Sequence, residues 1–115
     1  MPRVSTGARS RSASSRERAG AARLDDAATV LRALSHPVRL RIVSLLSGGE
    51  LCVKRLEELL GIPQPSVSQH LTRLRYAGII TAQRRGHLVC YRLQDTPAAA
   101  IAAAALEAAG RTKEV

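Results

Sequence analysis

Gly61-Ile62-Pro63-Gln64-Pro65-Ser66-Val67-Ser68-Gln69-His70-Leu71-Thr72-Arg73-Leu74-Arg75-Tyr76 is the stretch on which the reading of this chain turns. Its apolar residues Val67, Leu71 and Leu74 recur at i, i+4 and i+7, so a helix directs all three into one core-facing stripe. At about 100° per residue, Ser66, Gln69, Thr72 and Arg73 then fall on the opposite face. That face offers hydroxyls, an amide and a guanidinium, the donors and acceptors that read base edges and phosphates. Just upstream, Leu56, Leu59 and Leu60 form a shorter helical stripe, stopped by Gly61, a favoured C-terminal cap. Two short amphipathic helices joined by a Gly-led turn predict a helix-turn-helix, with residues 65–77 as a DNA recognition helix.

The totals agree with a polyanionic partner. The chain has 115 residues, enough for one domain, and 18 Lys and Arg against nine Asp and Glu give a net charge of +9. Nucleic acid is the first partner such a balance implies, an anionic membrane the second. Aromatic side chains are confined to Tyr76 and Tyr91. Single-strand binders stack bases on aromatic platforms, so the expected partner is double-stranded DNA. Two cysteines make no secreted disulfide framework, and no apolar run reaches the length of a membrane span, so a cytoplasmic protein is expected.

Outward from the motif, residues 1–23 hold Arg3, Arg9, Arg11, Arg16, Arg18 and Arg23, five serines, and no large apolar residue beyond Val4. Such a segment buries too little surface to offset its ordering entropy, which predicts a disordered basic tail. A transit peptide or a start-site artefact shares that composition. Asp25 and Asp26 open a helix whose Leu24, Ala28, Leu31 and Leu34 share a side. Ser35 is then expected as N-cap, with Pro37 in the first turn, for a helix that runs to Leu46 and buries Val38, Ile42, Leu45 and Leu46. His36, in the connection, reads as a solvent-facing or locally bonded side chain rather than a ligand.

Leu51-Cys52-Val53 can form only a short strand. After the recognition helix, Ile79–Gln83 and Leu88–Leu93 are β-prone runs around Arg84-Arg85-Gly86-His87, which predicts a hairpin. A basic hairpin behind a recognition helix is a wing, whose tip lies along the DNA backbone or the minor groove; an ordinary solvated turn is the plainer alternative. Thr96-Pro97 starts a last helix, Ala98 to about Ala109, with no polar residue between Pro97 and Leu106. An all-apolar terminal helix in so small a domain needs cover from a second chain, so a symmetric homodimer through this helix and residues 24–34 is expected. The sum is a mainly α domain with a small β-hairpin wing: a winged helix-turn-helix of five helices plus two or three short strands. It occupies residues 24–109, between the 1–23 tail and a short tail at 110–115.

Leu34-Ser35-His36-Pro37-Val38-Arg39-Leu40-Arg41-Ile42, Glu50-Leu51-Cys52-Val53, Ser66-Val67-Ser68-Gln69-His70-Leu71, and Gly78-Ile79-Ile80 leading to Tyr91-Arg92-Leu93 together resemble the ArsR (SmtB-type) family of winged-helix repressors. The resemblance covers residues 24–109 in order. It implies a homodimeric repressor that holds a palindromic operator and leaves it when an inducer binds, often a soft or borderline metal ion, arsenite or an oxidising sulfur species. The family's metal-sensing pattern is retained unevenly. Where it has a Cys-Val-Cys triplet this chain has Cys52-Val53-Lys54, and Asp95 is kept but Ala98–Ala109 contain no His. Zinc needs three or four tetrahedral ligands, which neither remnant supplies, so no metal site is assigned. A soft metal or metalloid ion as inducer follows from the resemblance alone. Proline at 63 and 65, where the family usually has a Ser, leaves the start of the recognition helix open.

The DNA-contacting residues expected are Gln64, Ser66, Ser68, Gln69, His70, Thr72 and Arg73 on the helix and Arg84, Arg85 and His87 on the wing. His70 lies about 60° from the centre of the apolar stripe, so it either reaches DNA or packs at the helix flank. In a winged helix the strand before the motif pairs with the second wing strand, bringing Cys52 and Cys90 into neighbouring strands. They are either a thiol switch or soft-ion site, with Lys54 and Arg92 lowering a thiol pKa, or two small half-buried hydrophobes. A non-specific architectural DNA-binding protein is the competing reading, since charge alone would suffice for it. A protein-interaction module is a further one. Enzymatic activity has no support: there is no phosphate loop, no nucleophile–base arrangement, and no paired carboxylates beyond Asp25-Asp26 and Glu57-Glu58 on surface helices.

Overall fold

The computed structural model describes residues 2–114, and the side chains of residues 15–110. Five helices and a three-stranded sheet follow in the order α1 (Pro2–Leu34), α2 (Pro37–Leu46), β1 (Leu51–Cys52), α3 (Val53–Leu60), α4 (Gln64–Tyr76), β2 (Ile80–Arg85), β3 (Leu88–Leu93) and α5 (Ala98–Glu114). The sheet is antiparallel, ordered β1-β3-β2.

The core forms where the helical stripes converge. Ile42, Val43 and Leu46 of α2, Leu56 of α3 and Val67, Leu71 and Leu74 of α4 are buried. Ile79 and Ile80 close the cluster from the sheet side, and Ala33, Leu34, Ala98 and Ala102 close it from α1 and α5. The predicted stripe of the recognition helix is therefore the stripe that packs. Each fully buried Leu or Val of this kind contributes about 1.5–3 kcal/mol, so α4 is fixed in rotation by three of its residues. In α2 the buried face is turned slightly from expectation: Val43 is enclosed, whereas Val38 and Leu45 are only partly buried.

Local signals set the boundaries. Gly61 ends α3 in the left-handed conformation, φ 63°, with its N–H donating to the Glu57 carbonyl at 2.8 Å; a Cβ there would be strained. Gly86 does the same for the two-residue turn Gly86-His87, at φ 68°. Thr96 Oγ1 accepts from the Ala98 N–H at the start of α5, as the Thr-Pro pair predicts.

Four expectations are corrected. The cap of α2 is His36, not Ser35: its Nδ1 accepts from the Val38 N–H at 3.1 Å, with Pro37 at the first helical position. The recognition helix begins at Gln64: Pro63 at the N-cap is extended, φ −59° and ψ 143°, and the ring of Pro65 in the first turn fixes φ near the helical value. Residues 2–23, expected as a disordered tail, belong to the continuous helix α1, and α5 continues past Ala109 through the stretch expected as a tail. Composition rules out burial for the Arg/Ser segment, and residues 15–27 are indeed exposed. Burial is not the only source of helicity, however. No proline lies between Pro2 and Pro37, and alanine and arginine are among the strongest helix formers.

Candidate nucleic-acid interface

Between Glu58 and Asp95 the chain contains no carboxylate, but it carries Arg73, Arg75, Arg84, Arg85 and Arg92. That interval is α4 and the β2–β3 hairpin, so the fold gathers an acid-free basic surface from one continuous segment. On α4, Gln64, Gln69, Thr72 and Arg73 are exposed, and Ser66 and Ser68 are half-buried. The strip is internally ordered. Gln64 Nε2 donates to Ser68 Oγ at 3.2 Å, and Thr72 Oγ1 donates to the Ser68 carbonyl at 2.9 Å. Gln69 and Arg73, one turn apart, project from the middle of the strip with the amide and guanidinium that suit base edges and phosphates. Tyr76 ends the helix 88% exposed, a flat aromatic beside the strip that helical periodicity alone did not single out.

The two wing arginines differ. Arg84 is exposed and makes no ion pair among the described residues. Arg85 is clamped by Glu50: Nε to Oε2 at 2.7 Å and Nη2 to Oε1 at 2.9 Å, with a third bond to Gln83 Oε1. The hydrogen bond and charge of Arg85 hold the Glu50 carboxyl below the usual carboxylate range, and Glu50 raises the guanidinium in return. Of the expected wing contacts, Arg84 and His87 are therefore presented openly, while Arg85 ties the hairpin to the loop before β1. No sequence signal marks that tie, since its partners are 35 residues apart.

His70 is not on the exposed strip. It is half-buried against the α1–α2 corner, its ring centroid 4.4 Å from that of His36, and Arg39 Nη1 lies 3.2 Å from its Nδ1. Burial first, then the charges of His36 and Arg39, push its pKa below the ordinary histidine value.

Cys52 and Cys90 face each other across β1 and β3 in register and are joined as a disulfide. Sulfur atoms engaged in this bond are not thiolate ligands, and Lys54 stands where a second thiolate would be needed, so the residues present do not fit the family's metal-binding pattern. Among the described residues no three His, Cys, Asp or Glu side chains converge on a metal-sized site. No helix among them is long and apolar enough to cross a membrane.

Comparison with known proteins decides the family. Residues 36–82, from the cap of α2 into the wing, match the model described as bacterial regulatory protein, arsR family. The biofilm growth-associated repressor of Xylella fastidiosa is 44% identical over 77 residues, covering 67% of this chain and 68% of that protein. The chain belongs to the arsR family of bacterial regulators. Another arsR relative, the HTH-type transcriptional repressor SmtB of Mycobacterium tuberculosis, is 47% identical over 87 residues, 76% of this chain. The chain spans 64% of the length of that relative. Among solved structures, the homodimeric winged helix-turn-helix domain of Mb0332 from Mycobacterium bovis superposes with a TM-score of 0.74 at 32% identity, covering 83% of this chain and 88% of that one. The arsR fold is thus a winged helix-turn-helix here, with α3 and α4 as the motif and β2–β3 as the wing.

Proposed function

We propose that this arsR-family chain is a homodimeric transcriptional repressor that grips a palindromic operator with α4 and the wing, and lets go when an inducer acts on it. The observation that carries the reading is that one carboxylate-free segment, residues 59–94, supplies exposed Gln69 and Arg73 on the recognition helix and exposed Arg84, unpaired among the described residues, on the wing. In this arrangement Gln64, Ser66, Ser68, Gln69 and Thr72 supply base and backbone contacts, and Arg73, Arg84 and His87 supply phosphate contacts. The dimer would form through α1 and α5, where Leu24, Leu31, Ile101 and Leu106 are exposed, with residues 24–109 as the DNA-binding and dimerisation unit. Two recognition helices would then lie about 34 Å apart, one turn of DNA.

The Cys52–Cys90 pair supports a thiol signal better than a metal one. In the reduced form, the two thiols and a low-molecular-weight disulfide would exchange to give the Cys52–Cys90 bond and two released small thiols. That bond links the wing to the start of α3, so it bears on the orientation of the wing.

Footprinting on the DNA upstream of the chain's own gene tests the main reading. A discrete protected palindrome with affinity falling steeply in salt is expected. Uniform coverage would instead identify a non-specific architectural protein. For the signal, operator affinity should differ between reduced and oxidised protein and cease to differ in Cys52→Ser and Cys90→Ser variants; an oxidant response that survives both substitutions would exclude the pair.

A further inference from the structure

We propose that Arg39 and His70 are positioning residues for operator recognition: the Arg39 guanidinium ties the end of α1 to the recognition helix through the neutral ring of His70, and the tie opens when that ring takes a proton. The proposal rests on the DNA-binding reading above and adds to it a mechanism for holding α4.

One guanidinium serves three acceptors from two elements. Arg39 Nε donates to the Ala33 carbonyl at 2.5 Å, at the C-terminal end of α1, and Nη2 donates at 3.2 Å to the Arg32 carbonyl, which also accepts the Ser35 N–H. Nη1 points at His70 Nδ1, 3.2 Å away. A guanidinium can only donate, so Nδ1 must offer its lone pair and the ring proton must sit on Nε2. His36, packed against the same ring with the planes inclined at 48°, is under the same demand, because its Nδ1 accepts the Val38 N–H that caps α2. Two imidazoles in contact are therefore both committed as acceptors.

The titratable and charged groups around the ring all oppose a proton here. The connection contributes His36, α2 contributes Arg39, and α4 itself contributes Arg73, whose charge bears on Arg39. From α1 come the Arg32 and Ala33 carbonyls, with the Arg32 side chain turned to Thr29. A protonated His70 would set an N–H against a guanidinium and lose the bond. Gln69 precedes His70 and Arg73 follows it by one turn, so a slip of the ring from the corner rotates the strip that reads DNA. Acid should thus weaken operator binding through this residue, the opposite of the usual effect of protonating side chains near phosphates.

The test is anisotropy titration of a labelled duplex carrying the footprinted palindrome, from pH 7.5 to 5.5 at constant ionic strength. The proteins compared are wild type, His70→Asn and Arg39→Ala. Asn can accept the same hydrogen bond but does not titrate. Relative to His70→Asn, wild-type affinity is expected to fall about threefold toward pH 5.5, the part of a one-unit pKa difference between free and bound protein that is expressed when the pH lies between the two values. Arg39→Ala is expected to bind more weakly at pH 7.5, with a profile as flat as that of His70→Asn. Superposable wild-type and His70→Asn profiles would overturn the proposal. Long-range 1H–15N spectra of the wild-type imidazoles supply a check independent of DNA. An unprotonated Nδ1 on His70 at pH 7.5 is expected, and a proton found there would overturn the tie even if operator binding is normal. Absence of specific binding at pH 7.5 with the expected tautomer would instead count against the repressor reading.

Discussion

The two long sides of the domain leave different kinds of surface unsatisfied. Along α4 and the wing, the core-facing stripe is buried and the outward residues are amides, hydroxyls and arginines with no carboxylate among them. Along α1 and α5, the inward residues are Ala33, Leu34, Ala98 and Ala102, and the outward ones include Leu31, 56% exposed, and Leu106, 47% exposed. The first side has one counter-charge, Glu50 on Arg85, and leaves Arg73 and Arg84 without one among the described residues, whereas the second lacks cover. Water solvates arginines well, so the first side can wait for DNA. Exposed leucines on neighbouring helices are an open cost until a second apolar surface meets them. For the dimeric repressor proposed above, the order of events that follows is assembly first and DNA second.

The comparison can be broken most severely at the apolar side. Leu31→Glu combined with Ile101→Glu is expected to leave a monomer in sedimentation velocity and to weaken operator binding by about 100-fold or more, the loss of linking two half-site contacts. A dimer that persists would move the interface elsewhere. At the basic side the effects are smaller. Arg73→Ala and Arg84→Ala are each expected to weaken binding to all duplexes and to reduce the salt slope by about 1, read from affinities at several salt concentrations.

Arg85 sharpens the point, because its charge is already engaged. Arg85→Ala is expected to cost less affinity than Arg84→Ala, while Glu50→Gln frees a cation and should tighten binding about two- to threefold, with a salt slope steeper by up to about 1. The smallest expected effect is on stability in acid. The Glu50 carboxyl is depressed in the folded protein, so its contribution is present above the ordinary carboxylate pKa and disappears as pH falls through the lowered value. Thermal melts of wild type should therefore approach those of Glu50→Gln at the acid end.

What could be read from residue order was what periodicity controls. Val67, Leu71 and Leu74 placed α4 and its exposed strip, and the run Leu88–Leu93 after a Gly-containing turn placed the wing. The pairing of Leu51 and Cys52 with β3 followed from the winged arrangement. The misses share a cause, which is that they depend on which partner arrives from elsewhere in the chain. Ser35 is a good cap by type, but the backbone turn brings the ring nitrogen of His36 to the Val38 N–H instead. A helical wheel sets the azimuth of His70 without showing that Arg39 fills the corner beside it. Arg84 and Arg85 are neighbours of one type, and only Glu50 tells them apart. For the N-terminal segment, reasoning from burial left out local helix propensity.

Strand β1 is two residues long, and α3 begins at the very next residue, with Cys52 serving both as the strand's end and as the helix's cap position. No flexible spacer intervenes, so a displacement of the hairpin cannot be absorbed before it reaches the helix-turn-helix. A graft that transplanted the hairpin of a relative onto this chain would have to carry that relative's matching edge strand with it, or the two halves of the reading head would be misaligned.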